Sequence, residues 1–255
     1  MGVGEGRGRG ILGGMRLKHE LRQLLWRFGV DVVPYPTHNP VARTAKLLGH
    51  HRIDCVIDVG ANDGGFATAI RRLGYSGRII SFEPVQAPFE VLRHKAATDR
   101  EWSVQQCAVG DSAGEVTVNI SGDSVSSSVL PMLRTHTDAA PKSHPVGTQS
   151  VRQERLDRLV PELGLAQGSR VFLKVDVEGY ERAVLDGATG LFADGAVNGL
   201  QLELSLVPLY EGGMSYREGL DRAESLGMTL MGLDPVFSDP NSGQLLQVDA
   251  VFFTR

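Results

Sequence analysis

The chain has 255 residues, with 26 Lys and Arg against 30 Asp and Glu and a formal net charge of −4, which excludes a general electrostatic drive toward nucleic acid or anionic lipid. That length suits one generous α/β domain, or a core domain with a short extension, and it buries a hydrophobic core without staples. Cys55 and Cys107 sit among apolar residues, no apolar run nears the ~18 residues that span a bilayer, and Ile11-Leu12 is cut short by Gly13-Gly14, so the expectation is a cytoplasmic protein with two buried thiols and no signal peptide.

Residues 1–14 are mostly Gly and Arg and read as a disordered leader, because glycine this dense cannot repay its ordering entropy. An RNA-binding tail is the alternative, with few arginines to support it. Residues 15–49 read as a helical extension. Leu17 to Phe28 places Leu17, Leu21, Leu24, Leu25 and Phe28 on one helical face, with Lys18, Arg22 and Arg27 elsewhere. Such a face packs on the domain, on a second subunit of a homodimer, or at a membrane surface as a peripheral basic anchor. Pro34, Pro36 and Pro40 break the chain, and Val41 to Leu48 reads as another helix.

Residues 50–255 read as a single domain. Cys55 to Val59 is a buried strand, Gly60 to Gly65 a tight loop and Phe66 to Leu73 a helix; Arg78 to Phe82 is a second strand, followed by a helix over Pro88 to Ala97. Trp102 to Val109 reads as a third strand and Glu115 to Ile120 as a hairpin arm, whereas Ser121 to Gly147 has no sustained period and reads as a long functional loop. Leu156 to Leu163 is helical, Val171 to Val175 a strand, Glu181 to Leu191 a helix, Gly199 to Ser205 a strand and Tyr216 to Ser225 a helix. Two strands close the chain, Met228 to Leu233 and Gln247 to Phe253. Alternating strands and helices with a reversed pair at the end predict an α/β fold, a mostly parallel doubly wound sheet with an antiparallel edge strand.

The strongest signal is Val56-Ile57-Asp58-Val59-Gly60-Ala61-Asn62-Asp63-Gly64-Gly65-Phe66. A buried strand delivers a carboxylate, and glycines then turn the backbone into a helix at the sheet edge where ligands of such folds bind. Asp58 there suits the ammonium of a methionine moiety. Ile79-Ile80-Ser81-Phe82-Glu83-Pro84 ends the next strand with an acid about twenty positions on, where a carboxylate accepts both ribose hydroxyls of an adenosine. NAD-binding proteins carry an acid in the same place, which keeps an NAD-dependent oxidoreductase open as an alternative, along with a non-catalytic binding module. The spacing Gly60-x-x-x-Gly64-Gly65 and the anionic Asp58 favour the methionine ligand over a pyrophosphate.

These stretches, with Ala108-Val109-Gly110, Gly114, Ser126-Ser127-Ser128 and the block Lys174-Val175-Asp176-Val177-Glu178-Gly179-Tyr180-Glu181, resemble the FkbM family of methyltransferases over about residues 50 to 254. The resemblance implies a class I, Rossmann-like methyltransferase fold, S-adenosylmethionine as cofactor, and transfer to a hydroxyl, often on a sugar, polyketide or glycolipid. It implies that Asp58, Gly60 and Asn62 hold the methionine portion and Glu83 the ribose, while Cys107 and Ala108 flank the adenine with Ser126 to Ser128 nearby. Ala61, Gly64, Phe66, Pro84, Ser128 and Asp176 complete the implied cofactor set. The implied acceptor is a small-molecule or lipid-linked sugar, without nucleic acid.

Methyl transfer from a sulfonium needs alignment of acceptor oxygen, methyl and sulfur, and removal of the hydroxyl proton. Asp176 closes a strand at the same sheet edge as Asp58 and is a candidate base, or else a cap for the helix that follows. Glu203 interrupts an apolar strand, where a charge is costly unless paired or used. The two carboxylates are expected to converge, to share base work or to bind Mg²⁺, whereas Glu178 and Glu181 are expected to lie outward or in helix-start hydrogen bonds. His144 and His136 in the long loop are further candidate bases, His144 the preferred one. Tyr210 and Glu211 lie where an acceptor pocket is expected, and the loop itself is expected to close over the substrate.

Overall fold

The computed structural model describes residues 22–30, 35, 38–162, 164–165 and 168–254. The chain divides into two compact units, Met1–Arg43 and Thr44–Arg255. In the first, residues 22–26 are helical and a turn follows; the leader at 1–14 and the start of the expected Leu17 to Phe28 helix lie outside the described residues. Helix α1 (Pro40–His50) begins with proline at its first position and with the Asn39 side chain accepting from the amide of Ala42 at 2.8 Å, an N-cap. Among the described residues no helix is long and apolar enough to cross a membrane.

The second unit alternates strand and helix. β1 (Cys55–Val59), α2 (Gly65–Arg72), β2 (Arg78–Phe82), α3 (Gln86–Ala96) and β3 (Trp102–Gln105) make the first half. α5 (Leu156–Glu162), β7 (Val171–Val175), α6 (Glu181–Asp186), α7 (Thr189–Ala193), β8 (Val197–Ser205), α8 (Tyr216–Ser225), β9 (Met228–Ser238) and β10 (Leu245–Thr254) make the second. Between the halves lie β4 (Ala108–Val109), β5 (Gly114–Ser121), α4 (Arg134–Ala139), a 3-10 turn (Pro141–Ser143) and β6 (Pro145–Glu154).

The main sheet has seven strands in the order β3-β2-β1-β7-β8-β10-β9. β1 pairs in parallel with β2 and β7, and β10 runs antiparallel to both β8 and β9. This is the class I methyltransferase fold expected, and the reversed strand, β10, is wedged between β8 and the edge strand β9. Every residue of β1 and of β7 is buried, because central parallel strands are covered on both faces. Register puts Asp58 level with Ser81 on one side and Lys174 on the other, so polar groups collect at the carboxyl ends of otherwise apolar strands. Ser81 accepts from Trp102 Nε1 at 3.0 Å in the core. Trp102→Phe is expected to cost about 1–2 kcal/mol by leaving Ser81 without its donor, read as a lower urea midpoint at unchanged slope.

Three expectations change. The run Trp102 to Val109 is two strands: β3 ends at Gln105, and β4 joins a second sheet of order β4-β6-β5. The loop Ser121 to Gly147 contains α4 and the 3-10 turn, and ends inside β6, which pairs with β5 from Pro145 to Gln153. The helix over Glu181 to Leu191 breaks at Gly187-Ala188, where a Cβ on Gly187 would stand 2.0 Å from the carbonyl oxygen of Gly110. The break also lets Asp157 accept from the amide of Leu191 at 3.1 Å.

Candidate functional site

A cavity of about 370 Å³ opens at the carboxyl ends of β1, β2, β7 and β8, where ligands of open α/β sheets bind. One half is made by the turns after β1 and β2. Gly60 has φ +76°, and a Cβ there would lie 1.8 Å from the main-chain oxygen of Asp176. Its glycine therefore lets the β1 and β7 turns touch, a reason the sequence did not reveal. Gly64, at φ +81°, is held by core packing against Leu92 and Trp102, 2.8 and 3.0 Å from such a Cβ, and lies off the cavity wall, as do Ala61 and Phe66.

Asn62 adopts φ +47° and donates its amide to Glu83 Oε2 at 2.8 Å, while its side chain donates to the carbonyl of Ser124 at 3.1 Å. The amide of Val85 donates to Glu83 Oε1, also at 2.8 Å. Glu83 is thereby fixed in the cavity wall with Pro84 beside it. Burial pushes its carboxyl up to about 7, against the pull of those two amides. Cys107 and Ala108 line the neighbouring wall, and burial raises the Cys107 thiol.

The expected role of Asp58 as the open counter-charge for an ammonium needs correction, because its carboxylate is fully buried and off the cavity wall. Oδ1 instead lies 3.4 Å from Nζ of Lys174, which donates to Asp176 Oδ2 at 3.0 Å. Burial disfavours the Lys174 ammonium, but the carboxylates of Asp176 and Asp58 outweigh it and hold the ammonium above ordinary lysine. The ring of Phe66 covers that ammonium at 5.5 Å.

The other half of the cavity is acidic. Asp176, Glu178 and Glu203 bring carboxylate oxygens within 4.8 Å of one another, on the turn after β7 and on β8. Glu178, expected outward or in helix-start hydrogen bonds, is buried, its φ of +54° turning it in ahead of Gly179 at +94°. Glu181 behaves as expected at a helix start, accepting from the amides of Val177 and Gly179 at 3.3 and 3.1 Å. Gln247 on β10 donates one amide nitrogen to Glu203 Oε2 at 2.9 Å and to Glu178 Oε2 at 3.3 Å. Burial, reinforced by Asp176, lifts the Glu178 carboxyl to about 8. Burial and then the charge of Glu178 hold Glu203 well above the ordinary range. Asp176 and Glu203 thus converge from neighbouring strands, and the sequence missed Glu178 as the third oxygen ligand of a set that a divalent cation such as Mg²⁺ can take.

The serine segment closes the remaining wall. Asp123 accepts from the amides of Val125 and Ser126 and from the Ser126 hydroxyl at 3.2, 3.1 and 3.0 Å, which folds the segment over the cavity. Ser128 lines the wall too, but its hydroxyl donates to the carbonyl of Glu178 at 2.6 Å and so props the acidic turn. His144 is exposed after the 3-10 turn and away from the cavity; His136 is the loop histidine in the wall. Tyr210 is buried beside it and donates to the carbonyl of Ser126 at 3.2 Å, while Glu211 is exposed.

The family profile described as the Methyltransferase FkbM domain matches residues 58–229. No curated protein matches the chain. Among solved structures it is similar to 1,6-didemethyltoxoflavin-N1-methyltransferase from Burkholderia thailandensis, with bound 1,6-didemethyltoxoflavin and S-adenosylhomocysteine. The identity there is 13%, over 99% of this chain and 94% of that one, with a TM-score of 0.45. It is also similar to magnesium protoporphyrin IX methyltransferase from Synechocystis PCC 6803 with bound S-adenosylmethionine, at 11% identity, 99% and 87% coverage and a TM-score of 0.46.

Proposed function

Because the chain belongs to the FkbM methyltransferase domain family, and so is an S-adenosylmethionine-dependent methyltransferase, we propose that it methylates a hydroxyl, on a sugar of a small-molecule or lipid-linked acceptor. Family membership removes the NAD-dependent alternative. The observation that carries the hydroxyl reading is the acidic half of the cavity: Asp176, Glu178 and Glu203 offer converging oxygens to the hydroxyls of a polyol. No lysine or arginine is among the described residues of the wall, which disfavours a phosphorylated acceptor or nucleic acid.

In this reading Glu83 accepts from the ribose hydroxyls of the cofactor, Pro84, Cys107 and Ala108 flank the adenine, and the Gly60-to-Asn62 turn meets the methionine portion. Asp176, at the junction of both halves, faces sulfonium and acceptor together. No step is assigned to Mg²⁺, because the amide nitrogen of Gln247 already donates to both Glu178 and Glu203. Dialysis against EDTA is therefore expected to leave transfer unchanged, and activity lost and then restored by MgCl₂ would assign the ion instead.

The direct test has two arms. S-adenosylhomocysteine at about 100 times its Kd should stabilise the fold by about 2.7 kcal/mol, a rise of roughly 5–10 °C in melting temperature for a chain of this size, while NADH should do nothing. Radiolabelled methyl from S-adenosylmethionine should then enter neutral glycosides as an alkali-stable ether. Label found in amines or in RNA but in no glycoside would refute the hydroxyl assignment.

A further inference from the structure

His136 is only 2% exposed, yet it forms part of the cavity wall, and its surroundings fix which nitrogen carries the proton. Nδ1 lies 2.9 Å from the hydroxyl oxygen of Ser143. That hydroxyl has one proton and two other neighbours, the carbonyl of Ala140 at 2.7 Å and the sulfur of Met132 at 3.4 Å. The carbonyl is the nearer and stronger acceptor. With the Ser143 proton directed there, its oxygen can only accept from His136, so the ring is protonated on Nδ1 and Nε2 keeps its lone pair. The side-chain hydrogen bond of the ring runs through Nδ1, which leaves Nε2 for a ligand in the cavity. The ring is held between Tyr210, 5.4 Å between centroids, and Phe237, 5.1 Å; Phe237 lies in the same wall and Tyr210 is buried.

We propose that His136 is the general base of the transfer, its Nε2 taking the acceptor hydroxyl proton as the oxygen attacks the methyl group. The new O–C bond forms as the C–S bond breaks, and the bonding pair returns to sulfur as S-adenosylhomocysteine. The proton passes to Nε2, and the positive charge lost by the sulfonium reappears on the imidazolium, which then releases the proton to water. This inference rests on the hydroxyl reading above and adds the residue that makes it work. The nearby carboxylates suit orientation better than proton removal: Glu178 and Glu203 share the amide nitrogen of Gln247, and Asp176 is paired with Lys174.

Burial lowers the imidazole below its ordinary 6.5, opposed by the Asp123 carboxylate in the serine segment, so the ring is neutral at pH 7. Of the other groups around it, Tyr210 is a phenol pushed up by burial and by Glu178, β9 presents Phe237, and Arg134, Asp138 and Lys142 are exposed.

The full chain saturated with S-adenosylhomocysteine and labelled with ¹⁵N-histidine tests the tautomer. Long-range ¹H–¹⁵N spectra should show His136 protonated on Nδ1 alone above pH 7, and Ser143→Ala should abolish that preference. Turnover tests the role, with radiolabelled S-adenosylmethionine and a panel of methyl glycosides as acceptors. His136→Gln should lower kcat about 100-fold or more, keep S-adenosylhomocysteine affinity, and lose the acidic limb of the rate profile below pH 6.5; imidazole should rescue His136→Gly. His144→Gln, outside the cavity, should match wild type. An Nε2-protonated ring, or a His136→Gln enzyme with wild-type rate and pH profile, overturns the proposal while leaving the hydroxyl reading intact. A wild-type enzyme that binds S-adenosylhomocysteine and methylates no glycoside overturns both.

Discussion

Lys174→Met is expected to destabilise the protein by about 3–5 kcal/mol, the cost of removing one partner from a buried ion pair. The ammonium is 6% exposed and stands between Asp58, at 3.4 Å, and Asp176, at 3.0 Å. Asp58 has no route to water, so without Lys174 it either keeps a buried negative charge or takes up a proton. Burial already raises its carboxyl against the pull of Lys174, and removing that pull raises it further. The sign of the pH dependence follows. A carboxyl whose folded pKa lies above its unfolded value gives stability that is present below the unfolded pKa and lost as pH rises through the folded one. The gap between Lys174→Met and wild type should therefore widen from pH 5 to pH 8, since the native lysine, itself shifted upward, stays charged throughout. Adding Asp58→Asn should recover part of the loss. Urea midpoints of the single and double variants at the two pH values measure this, and a gap that narrows toward pH 8 would contradict the assignment of Asp58 as the stranded charge.

That centre also shows what a linear reading can reach. β1, β2 and β7 have the expected bounds because each is a short, mainly apolar five-residue stretch closed by a turn, and buried parallel strands leave that trace. Asp176 and Glu203 stood out as charges at the ends of apolar strands, and the structure brings them together. Lys174 carried the same signal, a cation inside a wholly buried strand, but its partner across the sheet is a matter of register, and register requires the third dimension. The partner of Asp58 is therefore a lysine on the neighbouring strand, which its place before the glycine turn does not disclose.

Other features were illegible for local reasons. The first half of β6 exposes both of its faces, from Pro145 to Thr148, so it has no alternation, and pairing with β5 alone defines it. Glu178 points inward because of one positive φ, where β-carbon sterics would ordinarily predict an extended or helical residue. The Glu178-Gly179 pair was the available hint, since glycine tolerates the second left-handed step. His136 and His144 differ in burial for a reason no spacing encodes: α4 and the 3-10 turn send one ring into the wall and leave the other outside.

Binding of S-adenosylhomocysteine is expected to weaken about tenfold from pH 8 to pH 6, and Glu83→Gln to remove that dependence together with roughly 10–100-fold of affinity at pH 8. Glu83 is fixed by two amide donors, Asn62 to Oε2 and Val85 to Oε1, so each oxygen keeps a lone pair for a ribose hydroxyl. Burial holds the carboxyl at about 7. A diol that donates to both oxygens favours the ionised form, so binding expels a proton, and at pH 6 about 90% of the molecules must give one up first. That fraction sets the tenfold change. Glutamine cannot substitute, because its NH₂ would face one of the two amide N–H groups and one ribose hydroxyl would lose its charged acceptor. Losing such a bond costs about 1.5–3 kcal/mol, and about 1.4 kcal/mol corresponds to tenfold in affinity. Calorimetry at pH 6 in two buffers of different ionisation enthalpy reads the proton directly, nearly one released per ligand in wild type and a smaller number in the variant. Affinity that is flat between pH 6 and pH 8 in wild type would mean that the adenosine lies elsewhere, with Glu83 serving only to tie the Asn62 turn to the Val85 turn.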